Sequence, residues 1–95
     1  ITSETRGYLR GVAELLKEWP ELKLHIRGHT DDSHSERYNQ ELSQRRTEII
    51  RRCFIDAGVK PHQLVISYYG ETEPLNINQS ARDKAENRRV DLLFE

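Results

Sequence analysis

The chain has 95 residues, enough for one domain over residues 1–95 with a single core and too few for two. Charged residues make up 33% of it and hydrophobic residues 35%, and the formal net charge is −1. This composition indicates a folded, well-solvated domain and gives no support to nucleic-acid binding. No apolar run reaches the roughly 18 residues of a membrane-spanning helix, and no signal peptide is recognisable.

The chain begins with a predicted helix and a predicted strand. Apolar residues spaced three or four positions apart predict a helix over residues 3–19, which Pro20 ends. Alternating apolar and polar side chains predict a strand over Leu22–Arg27, and Gly28 ends the alternation. The residues of the helix that we expect to face the core are Leu9, Val12, Ala13, Leu16 and Trp19.

A second, longer helix is predicted after a polar loop. Ser33, three residues before a glutamate, fits a capping box, and Ser35 is an alternative N-cap. The helix is expected to end near Ala57, because Gly58 suits the left-handed conformation that stops a helix. Its predicted apolar stripe consists of Leu42, Ile49, Ile50, Cys53, Phe54 and Ala57.

The remainder predicts two strands separated by a polar segment. The β-rich residues 64–69 predict a strand that Gly70 ends. The polar segment 71–85 includes most of a predicted short helix near residues 81–86. Apolar and polar side chains then alternate to Phe94, which predicts a final strand.

This order of elements predicts an α/β (α+β) sandwich. Strand–helix–strand units give parallel strand pairs with right-handed crossovers, so the helices should cover one face of a small sheet. Leu16 and Trp19 on the first helix need a sheet to cover, and we therefore expect a further strand before Ile1.

Five short motifs occur in a fixed order along the chain, and together they resemble the signature of the OmpA-like C-terminal domain. That family includes the peptidoglycan-associated lipoproteins, to which the motifs are most similar, and the stator protein MotB. The motifs are Gly28-His29-Thr30-Asp31, Asn39, Leu42-Ser43-x-x-Arg46, Gly70-Glu71-x-x-Pro74 and Asn87-Arg88-Arg89-Val90.

The resemblance implies a βαβαββ fold in which the last strand lies antiparallel between the first two. The first of these strands would precede Ile1. It also implies a domain that binds the peptidoglycan stem peptide non-covalently in the Gram-negative envelope. The alternative of an enzyme acting on the cell wall needs an activated nucleophile or an acid–base pair, and the sequence shows neither, so we expect no enzyme activity, no cofactor and no metal. The implied location is the periplasm, with attachment to the outer or inner membrane through a segment outside this chain. A homodimer remains possible.

The family's ligand-binding residues carry over to particular positions of this chain. Asp31 and Arg46 match the pair that grips the ligand, and Asn39 and Leu42 match residues lining the pocket. Arg88 or Arg89 matches the basic pair that opens the last strand, and we include Thr30 and Arg88 in the predicted site. Two positions depart from the family pattern: His34 replaces a common glycine, and Thr47 replaces a common alanine.

The predicted residues suit the implied ligand, the diaminopimelate of the peptide stem, whose free end carries an ammonium and a carboxylate on one carbon. A carboxylate such as Asp31 accepts from the ammonium, and a guanidinium such as Arg46 clamps the carboxylate with two parallel hydrogen bonds. If the last strand runs antiparallel to Leu22–Arg27, Arg88 begins it beside Asp31. Asn39 and Arg46 lie two helical turns apart and therefore share one face.

The same residues allow other interpretations. Asp31 suits a helix cap or a turn, and Arg46 suits a surface ion pair with Glu41 or Asp56. A metal site built from His25, His29, Asp31 and His34 is a further alternative, although their spacing fits no recognised ligand motif. At the level of function, the alternative is a protein-interaction domain that keeps the fold without binding the ligand.

Overall fold

The computed structural model describes residues 3–75 and 80–95 and contains the predicted elements in the predicted order. A single turn of 3₁₀ helix, Pro61–Gln63, precedes the second strand. The elements are α1 (Ser3–Glu18), β1 (Leu24–His29), α2 (Glu36–Asp56), β2 (Leu64–Gly70), α3 (Ala81–Asn87) and β3 (Val90–Phe94).

The three strands form one mixed sheet in the order β2-β1-β3. β1 pairs with β2 in parallel and with β3 antiparallel. The last strand therefore lies where the resemblance implies, antiparallel to β1, and the end of β1 lies beside the start of β3. This junction brings together segments far apart in the sequence.

The hydrophobic core lies between the helices and one face of the sheet. Leu16, Leu24, Ile26 and Phe54 are almost fully buried there. Trp19 was expected to join this core, but half of it (50%) is exposed. The reason is that α1 ends at Glu18, so Trp19 no longer follows the helical periodicity that would turn it inward.

β1 begins and ends two residues later than predicted, and Gly28 lies inside it. Gly28 pairs with Tyr68 and Val90 on the two sides. A β-carbon at this position would lie 2.6 Å from Cγ2 of Thr47 and 2.7 Å from the carbonyl oxygen of Ser43. The glycine therefore marks a close approach of α2 to the strand and not the end of the strand.

The predicted apolar stripe of α2 is wrong in part. Phe54 is buried as expected, but Ile49 is 57% exposed. The positions that face the sheet near the start of the helix are occupied by small or polar residues, because the backbone there passes close to Gly28 and Gly70. These buried residues are Asn39, Ser43 and Thr47.

Both ends of α2 are capped by side-chain and backbone hydrogen bonds. Ser35, the alternative N-cap, accepts a hydrogen bond from the backbone N–H of Tyr38 at 3.1 Å. At the other end Gly58 has φ of 100°, as predicted. The N–H groups of Gly58 and Val59 donate to carbonyls of the last turn, which is the Schellman arrangement.

Among the described residues, no helix combines the length and apolar character needed to cross a bilayer.

Candidate ligand-binding site

The loop that follows β1 is fixed by both neighbouring strands. The backbone N–H of His29 donates to the carbonyl of Arg89 at 2.8 Å, and the N–H of Thr30 donates to the carbonyl of Gly70 at 2.8 Å. Gly70 has φ of 57°, which few residues other than glycine adopt easily. The loop therefore leaves the sheet at a defined position, with Asp31 directly after the junction.

Asp31 forms an ion pair with Arg88 across this junction. Nη1 of Arg88 lies 2.6 Å from Oδ2 of Asp31. The other oxygen, Oδ1, accepts the backbone N–H of Ser33 at 2.9 Å, which is a short Asp-type turn. Asp31 is 5% exposed, whereas the Arg88 side chain is 45% exposed. The predicted proximity of Arg88 to Asp31 is confirmed, and the alternative turn role of Asp31 is also present.

The pKa of Asp31 reflects this environment. Burial alone would raise the pKa of the carboxyl group, but hydrogen bonds from Ser33 and Arg88 outweigh burial and hold the pKa below its usual 3.8. Asp31 is therefore a carboxylate at neutral pH. It can accept from an ammonium while one of its oxygens remains bonded to Ser33.

A second ion pair ties the loop to α3. Nζ of Lys84 lies 2.8 Å from Oδ1 of Asp32, and this contact raises the pKa of the lysine. Sequence reasoning did not identify this pair, because the contact joins a loop to a short helix 52 positions further along the chain. The rim of the site thus carries both charge signs.

Arg46 lies on a different flank of α2 from Gln40, since the two residues are six positions apart on the helix. The flank that carries Gln40 faces β2, since Nε2 of Gln40 donates to the carbonyl of Tyr68. Cys53, two turns after Arg46, lines a groove between α1 and α2. Leu42, one turn before Arg46, is half-buried on the same flank. Leu42 and Arg46 therefore share a flank of α2 that does not face β2, and their approach to Asp31 and Arg88 stays a prediction.

Arg46 has no ion pair or hydrogen bond within residues 3–75 and 80–95, although it is half-buried. The alternative of a surface pair with Glu41 or Asp56 is not formed. Glu41 pairs with Arg37 at 3.4 Å, and Asp56 pairs with Arg52 at 3.3 Å. Arg46 is thus available for a ligand anion.

Asn39 and Thr30 are buried, and each bonds to a carbonyl of the loop that follows β1. Nδ2 of Asn39 donates to the carbonyl of His34 at 3.1 Å, and its Oδ1 is buried without a partner among the described residues. The hydroxyl of Thr30 donates to the carbonyl of Asp31 at 2.9 Å. Both side chains hold the loop in place, and a role in contacting the ligand remains a prediction for each.

His34 and Thr47, the two departures from the family pattern, differ in burial. The ring of His34 is exposed and packs against Tyr38, with ring centroids 4.5 Å apart. Thr47 is buried, and its hydroxyl donates to the carbonyl of Gln44 at 2.8 Å. His34 therefore packs on the helix beside the loop, while the methyl group of Thr47 contacts the strand at Gly28.

The histidines of the metal alternative point to different partners. Nε2 of His25 lies 2.6 Å from the hydroxyl of Ser67, and His29 packs against Tyr69. His34 packs on Tyr38. Within the part of the chain that the structure describes, no three histidine, cysteine or acidic side chains are grouped to hold a metal ion.

Comparisons with known proteins agree with this fold and arrangement. The family model described as "OmpA family" matches residues 1–88. Outer membrane porin F of Pseudomonas fluorescens is 33% identical over 95 residues, which is 100% of this chain and 29% of the porin. The peptidoglycan-associated lipoprotein of Legionella pneumophila is 36% identical over 83 residues, which is 87% of this chain and 47% of the lipoprotein.

The fold is also that of a solved relative. The crystal structure of the peptidoglycan-associated lipoprotein from Burkholderia pseudomallei matches with a TM-score of 0.96 at 29% identity, covering 100% of this chain and 80% of that one. The chain spans less than half the length of the two curated relatives. The match of the family model over residues 1–88, together with these relatives, shows that the chain belongs to the OmpA family.

Proposed function

We propose that this domain binds peptidoglycan non-covalently through the diaminopimelate of the stem peptide and so anchors an envelope protein to the cell wall. Membership of the OmpA family supports the general role, since similar proteins include two named peptidoglycan-associated lipoproteins. The more specific choice of ligand rests on the charged groups at the β1–β3 junction.

The observation that carries the proposal is the half-buried Arg46 without a partner among the described residues, taken together with the Asp31–Arg88 pair at the β1–β3 junction. A buried or half-buried cation normally has a counter-ion, because its desolvation is otherwise uncompensated. An α-amino acid end group supplies the counter-ion for Arg46 and offers Asp31 an ammonium at the same time. A purely anionic ligand would be repelled by Asp31.

Arg88 has a second role in this arrangement. It already holds Oδ2 of Asp31, and nearly half of its side chain remains exposed. Its remaining N–H groups can reach a ligand carboxylate, since a guanidinium has five donors. The binding group is therefore a triad of Asp31, Arg46 and Arg88, with Leu42 supplying an apolar contact beside them.

The wider context follows from the same proposal. The domain would act in the periplasm as a binding module and not as an enzyme. A part of the protein outside this chain would attach the domain to the outer or inner membrane. Because the chain covers less than half of the porin and of the Legionella lipoprotein, the proposal concerns the domain alone and leaves the attached protein open.

Calorimetric titration of the domain with a diaminopimelate-containing stem peptide tests the proposal. We expect saturable binding by the wild type, which Asp31→Ala and Arg46→Ala each abolish while circular dichroism stays unchanged. Arg52→Ala is the matched control, since Arg52 lies on the same helix, is exposed, and pairs only with Asp56 among the described residues. Its affinity should equal that of the wild type.

A second titration examines ligand choice. A stem peptide with lysine in place of diaminopimelate lacks the carboxylate that Arg46 would hold, and it should bind much more weakly. Absence of binding by the folded wild-type domain to either peptide would overturn the proposal. That result would favour the alternative of a protein-interaction domain.

A further inference from the structure

His29 is buried on the face of the sheet opposite the helices. Its parity on β1 is that of His25 and Arg27, whose side chains lie on this open face. His29 is nevertheless only 1% exposed. It is buried because side chains from the two neighbouring strands cover it.

The covering side chains form a layered stack. The Tyr69 ring of β2 lies parallel to the imidazole, with centroids 5.3 Å apart and 14° between the planes. Arg27 lies over the same tyrosine ring at 5.1 Å. On the other side, Nε2 of His29 lies 3.0 Å from Oδ2 of Asp91 on β3. Oδ1 of Asp91 accepts from Nε of Arg89 at 3.1 Å.

The charged and titratable groups that face the imidazole are thus Tyr69, Arg27, Asp91 and Arg89. Neither ring nitrogen of His29 makes a hydrogen bond of good geometry within the described residues. A protonated imidazole has two N–H donors and a positive charge, and here it would lack an acceptor for Nδ1 and face two arginines. The surroundings therefore favour the neutral form.

The pKa agrees with this geometry. Burial lowers the pKa of His29 below its usual 6.5, and the charges of Arg89 and Arg27 act in the same direction. Asp91 opposes these effects without cancelling them. The packed position of the ring therefore favours its neutral form over its protonated form.

That position lies at the junction that builds the binding site. The backbone N–H of His29 donates to the carbonyl of Arg89 at 2.8 Å. Arg89 directly follows Arg88, and His29 precedes Asp31 by two residues, so this one hydrogen bond links the backbones that carry the ion pair.

We propose that His29 is a positioning residue for the binding site, whose neutral ring keeps the β1–β3 junction closed and whose protonation opens it. Protonation of His29 would then release Arg88 from Asp31. Ligand affinity would fall over the titration of a group that touches no ligand. This last consequence rests on the proposed peptidoglycan binding, whereas the opening of the junction does not.

The test begins with the ligand-free wild type. Nuclear magnetic resonance follows the ring of His29, the carboxyl carbon of Asp31 and the side-chain N–H groups of Arg88 between about pH 7.5 and about pH 4.5. We expect the Arg88 signals and the Asp31 carbon to change with the midpoint of His29. Asp31 should then show a separate step of its own at lower pH. Signals of Asp31 and Arg88 that stay constant through the titration of His29 would overturn the inference.

Two substitutions separate positioning from general acid effects. His29→Gln keeps a polar side chain of similar length without the titration, so the first step should disappear. His25→Gln is the matched control, because His25 lies on the same strand face and contacts Ser67. It should leave the step in place. The same step in both variants would contradict the inference. The wild-type titration needs neither variant and decides the matter if one fails to fold.

Stem-peptide affinity supplies the functional measurement. Between about pH 7 and about pH 5 it should fall in the wild type in step with the protonation of His29, by on the order of tenfold once the ring is fully charged, the size expected for one lost charge-assisted hydrogen bond. In His29→Gln it should stay constant. An α-ammonium and an α-carboxyl have ordinary pKa values of about 8 and about 3.5, so the ligand does not titrate in this range. Failure of the peptide to bind at any pH would refute the proposed function, and the ligand-free spectra would still test His29.

Discussion

Asp31 and Arg88 stand 57 positions apart in the sequence, yet their side chains form a 2.6 Å ion pair that joins the end of one strand to the start of another. The carboxylate is buried and the guanidinium is half exposed. The pair therefore has a structural side, which fixes the loop, and an open side, which remains available to a ligand. Predictions for each function follow from this division.

Replacing Arg46 with lysine should weaken binding while leaving the fold unchanged. Lysine keeps the positive charge but loses the planar fork that clamps a carboxylate through two hydrogen bonds. We expect the Kd for the stem peptide to rise about tenfold, which corresponds to one charge-assisted bond. Stability should change by less than about 0.5 kcal/mol, since Arg46 has no partner among the described residues. Equal affinity of Arg46→Lys and the wild type would argue against bidentate binding.

Removing the charge of Asp31 should change how stability depends on acid. The pKa of Asp31 in the folded protein lies below its usual 3.8, so its ionisation stabilises the fold at higher pH. That contribution is complete above about pH 3.8 and is lost as the pH falls through the lowered value. Urea denaturation of Asp31→Asn should therefore show a shallower loss of stability in this acid range than the wild type. Parallel curves would contradict the assignment.

His29 should also make the domain less stable as the pH falls, as Asp31 does, but in a different pH range. Because its pKa is lowered in the folded state, the unfolded chain takes up the proton more readily once the pH falls below about 6.5. Stability should thus begin to decline near that pH, well above the range of Asp31. In His29→Gln this upper decline should be absent, as urea denaturation at several pH values will show.

Adding a methyl group at Gly28 should destabilise the domain strongly. The new β-carbon would lie 2.6 Å from Thr47 and 2.7 Å from the Ser43 carbonyl, so α2 would have to move away from β1. We expect Gly28→Ala to lower the free energy of unfolding by about 1–3 kcal/mol. Gly11→Ala is the control, because nothing lies within 4 Å of that position on α1. It should raise stability by about 0.5–1 kcal/mol, and a similar loss in both variants would contradict the close-approach argument.

Replacing Gln63 with leucine should lower the free energy of unfolding, although the two side chains are similar in volume. The Nε2 group of this buried side chain donates to the carbonyls of Leu16, Trp19 and Leu22 at 2.8–3.1 Å. Leaving buried carbonyls without a donor costs roughly 1–3 kcal/mol. Gln44→Leu, which breaks only an exposed hydrogen bond to Glu48, should change stability by less than about 0.5 kcal/mol.

Much of the fold follows from local sequence patterns. The spacing of apolar residues predicts α1, α2, β1 and β3, and the β-rich residues 64–69 predict β2. Gly58 marks the end of α2 because its φ of 100° excludes most other residues. The contact between Asp31 and Arg88 was predictable only with the antiparallel last strand that the family resemblance implies, which places the start of that strand beside the end of β1.

The sequence patterns fail where packing between distant elements decides the outcome. The predicted strand ends at Arg27 and so gives no expectation for His29, which Tyr69 and Asp91 from two other strands cover. Likewise the sheet-facing side of α2 carries Ser43 and Thr47 instead of large apolar residues, because the strand approaches too closely for them. Neither feature has a local signal.

The sheet order β2-β1-β3 also sets the order in which the site can be completed during folding. β1, α2 and β2 follow one another in the sequence and form a parallel strand pair joined by one helix. β3 comes at the end of the chain and pairs with β1, the first strand of that unit. Contacts between residues distant in sequence usually form late. A chain trimmed before Arg88 would retain Asp31 and Arg46 on this unit but lack the strand that aligns them. Under the proposed function, binding therefore requires that β3 is already paired with β1.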